Sequence, residues 1–115
     1  MKKPVILLAM TAVALASCTT TKSLYSWYDY EDATYQYSKK NTDELRVRVA
    51  EVYKKMLENQ KGARGAVPPG LYAEYGYLLC KTGKTEEGLS FLKEEIKHYP
   101  ESEPFISRII KQLEK

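Results

Sequence analysis

A group of carboxylates and one histidine near the end of the sequence could do acid–base chemistry. Glu86, Glu87, Glu94 and Glu95 suggest paired carboxylates, and His98 is the single histidine of the 115-residue chain. Paired carboxylates can serve as general acid and general base, and an imidazole titrates near neutral pH. Lysines interleave with the glutamates at helical spacing, however, which favours a solvated helix face with ion pairs. A lone histidine without partnered cysteines also argues against a zinc site, so we expect no metal.

Nucleophilic and phosphate chemistry lack the surroundings that they require. Serine and tyrosine hydroxyls are numerous, but no base is placed to activate one of them. Gly62 and Gly65 lack the strand and helix that flank a phosphate-binding loop. We therefore expect a protein that is not an enzyme and needs no cofactor.

The first cysteine, Cys18, follows a segment typical of a secretion signal. Lys2 and Lys3 give a cationic start, and a largely apolar run of 12 residues extends from Val5 to Ala16. This run is well short of the roughly 20 residues that a membrane-spanning helix needs. We expect residues 1–17 to be removed as a signal peptide.

The end of that run, Leu15, Ala16, Ser17 and Cys18, resembles the lipobox of bacterial lipoprotein precursors. The resemblance implies cleavage before Cys18, a diacylglycerol on its thiol, and residues 18–23 as a lipidated tether. In that family aspartate after the cysteine is associated with inner-membrane retention. Thr19 therefore implies the outer membrane, and we expect its periplasmic face.

The alternative is an ordinary secretory signal whose cleavage happens to leave a cysteine. It fits less well, because a single exposed thiol in an oxidising compartment would need a partner. The second cysteine, Cys80, follows Leu78 and Leu79, which indicates a free thiol packed as a small apolar side chain. We expect no disulfide framework.

The remaining 98 residues are enough for one small domain. Removing Lys2 and Lys3 from the 18 basic residues leaves 16, against 15 acidic residues. A nearly neutral body does not indicate a nucleic-acid partner.

Residues 24–115 show helical periodicity and no useful alternation of period two, so we predict an all-α fold of about five helices. A first helix covers about 29–39 with Asp29 as N-cap, and a second covers 43–60 with Gly62 as its stop. Spacings of three and four place the apolar residues of the second helix on one face: Leu45, Val49, Val52, Tyr53, Met56 and Leu57. The stretch "ARGAVPPG", residues 63–70, separates the first hairpin from the second. Phe105 to Leu113 mark the fifth helix, which Ser102 opens.

The stretch 71–100 resembles a tetratricopeptide repeat, a helix–turn–helix unit of about 34 residues. Eight positions carry the resemblance: Tyr72, Tyr75, Gly76, Leu79, Gly83, Gly88, Leu92 and Pro100. Gly76 and Gly88 would let the helices approach closely, and Gly83 would form the turn. Glu95 stands where the repeat has alanine, which argues against tight packing there. The alternative is an unrelated amphipathic hairpin with a glycine turn.

The first hairpin matches the repeat only weakly. Aligning Ala50 with the small alanine places Ser38 at the glycine, but Lys54 falls where an aromatic residue belongs. The predicted architecture is thus two antiparallel repeat-like hairpins and a C-terminal capping helix, which would cover the last apolar face.

The stretch "SLYSWYDYEDATYQYSKK", residues 23–40, contains six aromatic side chains. Helical spacing assigns Tyr30 and Tyr37 to the core. Tyr25, Trp27 and Tyr28 precede the first helix and are the candidates for an interaction surface. The alternative is that these three fold back over the bundle.

The same stretch, together with "VPPGLYAEYGYLL" and "EEIKHYPESEPFISRIIKQL", resembles a family of small bacterial lipoproteins catalogued as a domain of unknown function. Members are typically encoded beside a curli-secretion-channel-like lipoprotein and a second small lipoprotein. The resemblance implies a cell-envelope assembly with other lipoproteins as partners. We expect an adaptor held by its lipid anchor. The alternative is a lipoprotein that binds glycan or peptidoglycan through exposed aromatic rings.

Overall fold

The computed structural model describes residues 22–115, and the predictions for residues 1–21, including lipidation of Cys18, lie outside that part. The described part contains five α-helices, one 3-10 turn and no strand, which confirms the all-α prediction. The helices are α1 (Tyr30–Lys39), α2 (Asp43–Glu58), α3 (Leu71–Lys81), α4 (Thr85–His98) and α5 (Glu103–Leu113), with the 3-10 turn at Pro100–Ser102. None of the described helices is long and apolar enough to cross a membrane.

The first hairpin, α1 and α2, supplies four of the seven buried residues of the main apolar cluster. The side-chain hydroxyl of Thr42 accepts a hydrogen bond from the Leu45 N–H (3.3 Å) and starts α2. Val49 and Met56 on α2 are buried against Ala33 on α1. The helical periodicity of apolar residues therefore predicted this interface correctly.

Two details at the ends of the first hairpin differ from the prediction. Asp29 directly precedes α1, but its side chain makes no capping hydrogen bond. Helix α2 ends at Glu58, so Gly62 does not terminate it. A Cβ on Gly62 would collide with the Leu24 carbonyl oxygen, so this glycine is needed for a close backbone approach.

The second hairpin, α3 and α4, has the tight contact predicted from the repeat pattern. A Cβ on Gly76 would lie 2.6 Å from the Gly88 carbonyl oxygen, and a Cβ on Gly88 would lie 2.5 Å from that of Gly76. Gly83 has a φ of +92°, a left-handed conformation that favours glycine at the turn. Both glycine predictions for the hairpin are confirmed.

Helix α5 packs on the second hairpin as a C-terminal cap. Its Ile106 is buried (2% exposed), and so is Leu92 on α4 (0% exposed). Ser102 precedes α5 but makes no capping hydrogen bond to it, since its hydroxyl donates to the Tyr99 carbonyl instead (2.7 Å). The neighbouring Phe105 on α5 remains 65% exposed.

The sequence-based expectation for Glu95 is wrong in both respects. Glu95 is 2% exposed, so it belongs neither to a solvated face nor to a loosely packed position. Its carboxylate accepts hydrogen bonds from the N–H groups of Gly70 (3.0 Å) and Ala73 (3.1 Å). Helix α3 has no side-chain cap of its own, because Gly70 precedes it. A glutamate from α4 therefore takes the place of the cap.

Candidate interaction site

The N-terminal segment, residues 22–29, is bound to the loop that follows α2. The Ser26 N–H donates to Gln60 Oε1 and Gln60 Nε2 donates to the Ser26 carbonyl, both at 2.9 Å. The Lys61 N–H donates to the Ser26 hydroxyl oxygen (2.9 Å), and the Ala63 N–H donates to the Ser23 carbonyl (2.7 Å). The backbone of this segment therefore folds back onto the rest of the protein, as the alternative interpretation of the sequence expected.

Tyr25 is the most enclosed of the three aromatic residues predicted for an interaction surface. It is half-buried, and its hydroxyl oxygen accepts a hydrogen bond from Arg64 (3.0 Å). Its ring meets that of Trp27 edge to face, with 6.1 Å between centroids. The Tyr25 ring therefore packs against the Trp27 ring.

Tyr28 lies apart from this pair. Its φ is +49°, and its hydroxyl donates to the Asn59 carbonyl. The Lys55 ammonium lies 4.4 Å from the centroid of its ring. Tyr28 lines a shallow depression that it shares with Asp32 and Tyr35 and not with Trp27. The three predicted interaction residues therefore do not form one surface.

Trp27 lies at a groove of about 410 Å³ between the N-terminal segment, the start of α3 and α5. We call it the Trp27 groove. Buried Pro68, Leu71 and Ile106 form its apolar floor. Trp27 (43% exposed) and Phe105 (65% exposed) also line it. Large apolar side chains exposed around a concave apolar surface are typical of a binding site.

Three carboxylates, Glu74, Glu95 and Glu101, line the same groove. The Tyr30 hydroxyl lies within hydrogen-bond distance of both Glu74 carboxylate oxygens (2.8 and 2.7 Å). Glu95 is engaged at the start of α3, as described above. Among the described residues that line the groove, none is lysine, arginine or histidine. The groove is therefore both aromatic and acidic.

The surroundings of Glu74 in the groove change the pKa of its carboxyl group. Although the residue is exposed as a whole, desolvation raises the pKa of its carboxyl above the usual 4.5, and the hydrogen bond from Tyr30 partly offsets this. The pKa of the Tyr30 phenol is also raised, first by desolvation and then by its hydrogen bond to Glu74. The neighbouring Glu95 carboxylate raises the pKa of Glu74 further, because two negative charges repel each other.

A chain of ring contacts connects Trp27 to the core. Trp27 lies 5.2 Å from Tyr30, measured between centroids, and Tyr30 lies 6.1 Å from Tyr53. Tyr53 meets Tyr75 at 6.1 Å, and Tyr75 meets Phe91 at 4.8 Å, both edge to face. Such pairs are each worth about 0.5–1.5 kcal/mol beyond area burial. The position of Trp27 is therefore fixed by the packing of both hairpins.

A second groove of about 610 Å³ lies between α1, α2 and α3. Its lining combines apolar and aromatic side chains, such as Leu78 and Tyr77, with polar and basic ones, such as Arg46 and Lys81. Glu74 lines both grooves, so its hydrogen bond with Tyr30 lies at their boundary. None of the predicted interaction residues lines this second groove.

Apart from Glu95, which lines the Trp27 groove, the residues considered for chemistry lie elsewhere on the molecule. His98 Nδ1 lies 3.5 Å from Glu94 Oε2, and its ring stacks on Tyr72 at 4.8 Å between centroids. Cys80 is half-buried, its thiol lies 3.6 Å from the Thr85 carbonyl oxygen, and burial raises its pKa. No group of three potential metal-ligating side chains occurs among residues 22–115.

Several groove residues were not identified from the sequence as site residues. Phe105 appeared only as part of the apolar stripe of the fifth helix, and Glu74 only as part of a shared motif. One available signal was the position of Phe105 at the start of its helix, where a side chain can extend past the bundle. The meeting of Glu74 with Tyr30, 44 positions away, required the tertiary structure.

Comparison with known proteins gives one match. Searches of curated proteins and of solved structures found no similar protein. The family model described as "Domain of unknown function (DUF4810)" matches residues 24–109, which include most of the N-terminal segment, both hairpins and most of α5. The chain belongs to this DUF4810 family of unknown function.

Proposed function

We propose that this protein is a non-catalytic adaptor of the bacterial cell envelope, anchored by lipid on Cys18 to the periplasmic face of the outer membrane. The observation that carries the adaptor role is the exposure of Trp27 beside an apolar groove. Its backbone is held by the Ser26–Gln60 hydrogen bonds, so little ordering remains to be done when a partner binds. Aromatic side chains held in this way are typical anchors of protein interfaces.

The short distance along the chain between anchor and groove supports the same proposal. Nine positions separate Cys18 from Trp27, which limits their separation to about 32 Å at full extension. A partner bound at the groove would therefore lie close to the membrane surface. Acyl chains contribute about 0.8 kcal/mol of membrane affinity per buried methylene, so several chains would hold the protein stably.

Site-directed crosslinking in native envelopes tests the adaptor role. A photoreactive phenylalanine analogue at position 27 should capture other envelope lipoproteins, because that side chain borders the groove. The same analogue at Tyr35, which is 55% exposed but lies outside the groove, serves as the matched control. Equal capture at both positions, or no capture at position 27, would contradict the adaptor role.

The anchor is tested by the Cys18→Ala variant. This precursor should incorporate no labelled fatty acid and should leave the outer-membrane fraction. A variant that fractionates normally would rule out lipidation at this residue.

A glycan-binding function is the second candidate, because Trp27 lies in one groove with Tyr99 and the Glu101 carboxyl. A flat aromatic ring beside polar groups suits a sugar ring. The protein should then sediment with isolated peptidoglycan, and a Trp27→Ala variant with unchanged helical circular dichroism should not. Wild-type protein that stays in the supernatant would exclude this function.

A further inference from the structure

The Trp27 groove contains carboxylates that form no ion pair with a lysine or arginine of the described residues. Glu74 forms no ion pair with any described lysine or arginine, and neither does Glu101. Glu74 receives only the neutral hydroxyl of Tyr30. A carboxylate beside an apolar surface, with no cation of its own, is complementary to a cation on a ligand.

The aromatic residues of the groove also lack the cations found elsewhere on the molecule. A lysine or arginine from the chain lies over the rings of Tyr25, Tyr28, Tyr35 and Tyr77, at 4.4–6.0 Å from the centroid. Within residues 22–115, no such cation lies over Trp27 or Phe105. Tryptophan is the best aromatic partner for a cation. The Trp27 ring, the most favourable partner for a cation, therefore has none from the described residues.

Trp27 and Glu74 are connected through Tyr30. The Trp27 and Tyr30 rings are tilted by 59° with centroids 5.2 Å apart, and the Tyr30 hydroxyl reaches the Glu74 carboxylate. An ammonium or guanidinium group entering beside them would gain a ring face and a carboxylate together. The apolar floor, which includes Leu71 and Ile106, would hold the apolar part of the same ligand.

We propose that the Trp27 groove binds a peptide segment of a protein partner in which apolar residues flank a lysine or arginine, with the cation between Trp27 and Glu74. This inference rests on the proposed adaptor role and names the chemistry of the partner. A groove of about 410 Å³ accommodates a few side chains, so one basic residue and its apolar neighbours suffice.

Selection from a random dodecapeptide display library tests this preference for a basic residue, because the library contains peptides with and without lysine or arginine. The full-length protein, purified in detergent, serves as bait. The selected peptides should be enriched in lysine or arginine next to apolar residues. Their binding should shift the fluorescence of Trp27, the single tryptophan of the chain. Selected peptides without a basic residue, or binding that leaves the Trp27 signal unchanged, would overturn the proposal.

Two variants locate the selected peptides in the groove. Glu74→Gln keeps an acceptor for Tyr30 but removes the charge, and it should weaken binding about tenfold and reduce its dependence on salt. Phe105→Ala truncates a side chain that is 65% exposed, so it should leave folding intact and weaken binding several-fold. Glu51→Gln and Tyr35→Ala, at exposed positions outside the groove, are the matched controls. Equal loss in the controls would also overturn the proposal.

The two proposals fail in different ways. Crosslinking of envelope lipoproteins at position 27 combined with selected peptides that lack basic residues would leave the adaptor role intact and reject the cationic partner. Selected basic peptides without any crosslink in native envelopes would reject the adaptor role and keep the chemistry of the groove.

Discussion

The carboxylate of Glu95 on α4 accepts a hydrogen bond from the N–H of Ala73 in the first turn of α3, at 3.1 Å. A helix N-terminus leaves its first N–H groups without partners inside the helix, and its dipole favours a negative charge there. In this protein the partner comes from the neighbouring helix. The contact fixes the start of α3, from which Leu71 and Glu74 enter the Trp27 groove.

Removing the Glu95 carboxylate should destabilise the protein. Glu95→Ala leaves two N–H groups without an acceptor and should cost about 2–3 kcal/mol of unfolding free energy, whereas Glu95→Gln keeps one acceptor and should cost less. Urea unfolding measures both. Glu51→Ala, at an exposed position of α2, is the control and should change little. An equal, small effect of both alanine variants would contradict the capping role.

Adding a methyl group at the contact between α3 and α4 should also destabilise the fold. At Gly88 a Cβ would collide with both the Gly76 carbonyl oxygen and Cys80 Sγ. Overpacking costs about 1–3 kcal/mol, which exceeds the roughly 0.5–1 kcal/mol that alanine gains over glycine in a helix. Gly88→Ala should therefore lower the thermal midpoint of unfolding. A raised midpoint would contradict a close contact between α3 and α4 at this position.

The fluorescence of Trp27 tests whether the Ser26–Gln60 hydrogen bonds hold the N-terminal segment in place. Gln60→Ala removes the paired hydrogen bonds with Ser26, each worth about 1 kcal/mol net, and should shift the Trp27 emission to longer wavelength. Helical content should change by no more than the last turn of α2, because the only other side-chain bond lost is the one from Gln60 Nε2 to the Met56 carbonyl (3.0 Å). Gln112→Ala, at an exposed site on α5, is the control. Unchanged emission in Gln60→Ala would mean that ring packing alone holds the segment.

Tyrosine titration tests the bond between Tyr30 and Glu74. Desolvation and the hydrogen bond to Glu74 both raise the pKa of the Tyr30 phenol above the usual 10.0. Because the folded pKa exceeds the unfolded one, the associated stability is complete below pH 10 and is lost as the pH rises further. NMR of tyrosine labelled at Cζ, with Tyr30→Phe for assignment, should show late ionisation of Tyr30. In Glu74→Gln, Tyr30 should ionise at a lower pH. An unchanged Tyr30 titration in this variant would contradict an interaction between the Glu74 carboxylate and the Tyr30 phenol.

Thiol counting tests Cys80 and Cys18 in one experiment. Burial raises the pKa of the Cys80 thiol, so the native protein should react slowly with a disulfide reagent at pH 8. In urea, one thiol per chain should react if Cys18 carries lipid. Two reacting thiols would contradict lipidation, and a fast native reaction would contradict the burial of Cys80.

Local patterns in the sequence were sufficient for the helices and for the hairpin contact. The spacing of Val49, Tyr53 and Met56 predicted the buried face of α2, because a helix brings residues three and four positions apart onto one side. Gly76 and Gly88 predicted the close helix approach, since only glycine leaves room for the facing backbone. These features depend on neighbours within one helix or one hairpin.

The sequence alone determined that the described chain is an all-helical domain and that Tyr30 and Tyr37 pack on the core. Only the tertiary structure decided that Trp27 faces a groove while Tyr28 lies elsewhere, and that Glu95 is a buried cap. The reason is physical: helical periodicity assigns a face to each side chain, but contacts between distant segments depend on how the helices and their loops pack. The Tyr30–Glu74 hydrogen bond and the Ser26–Gln60 pair join residues 44 and 34 positions apart, and such pairs leave no periodic signal in the sequence.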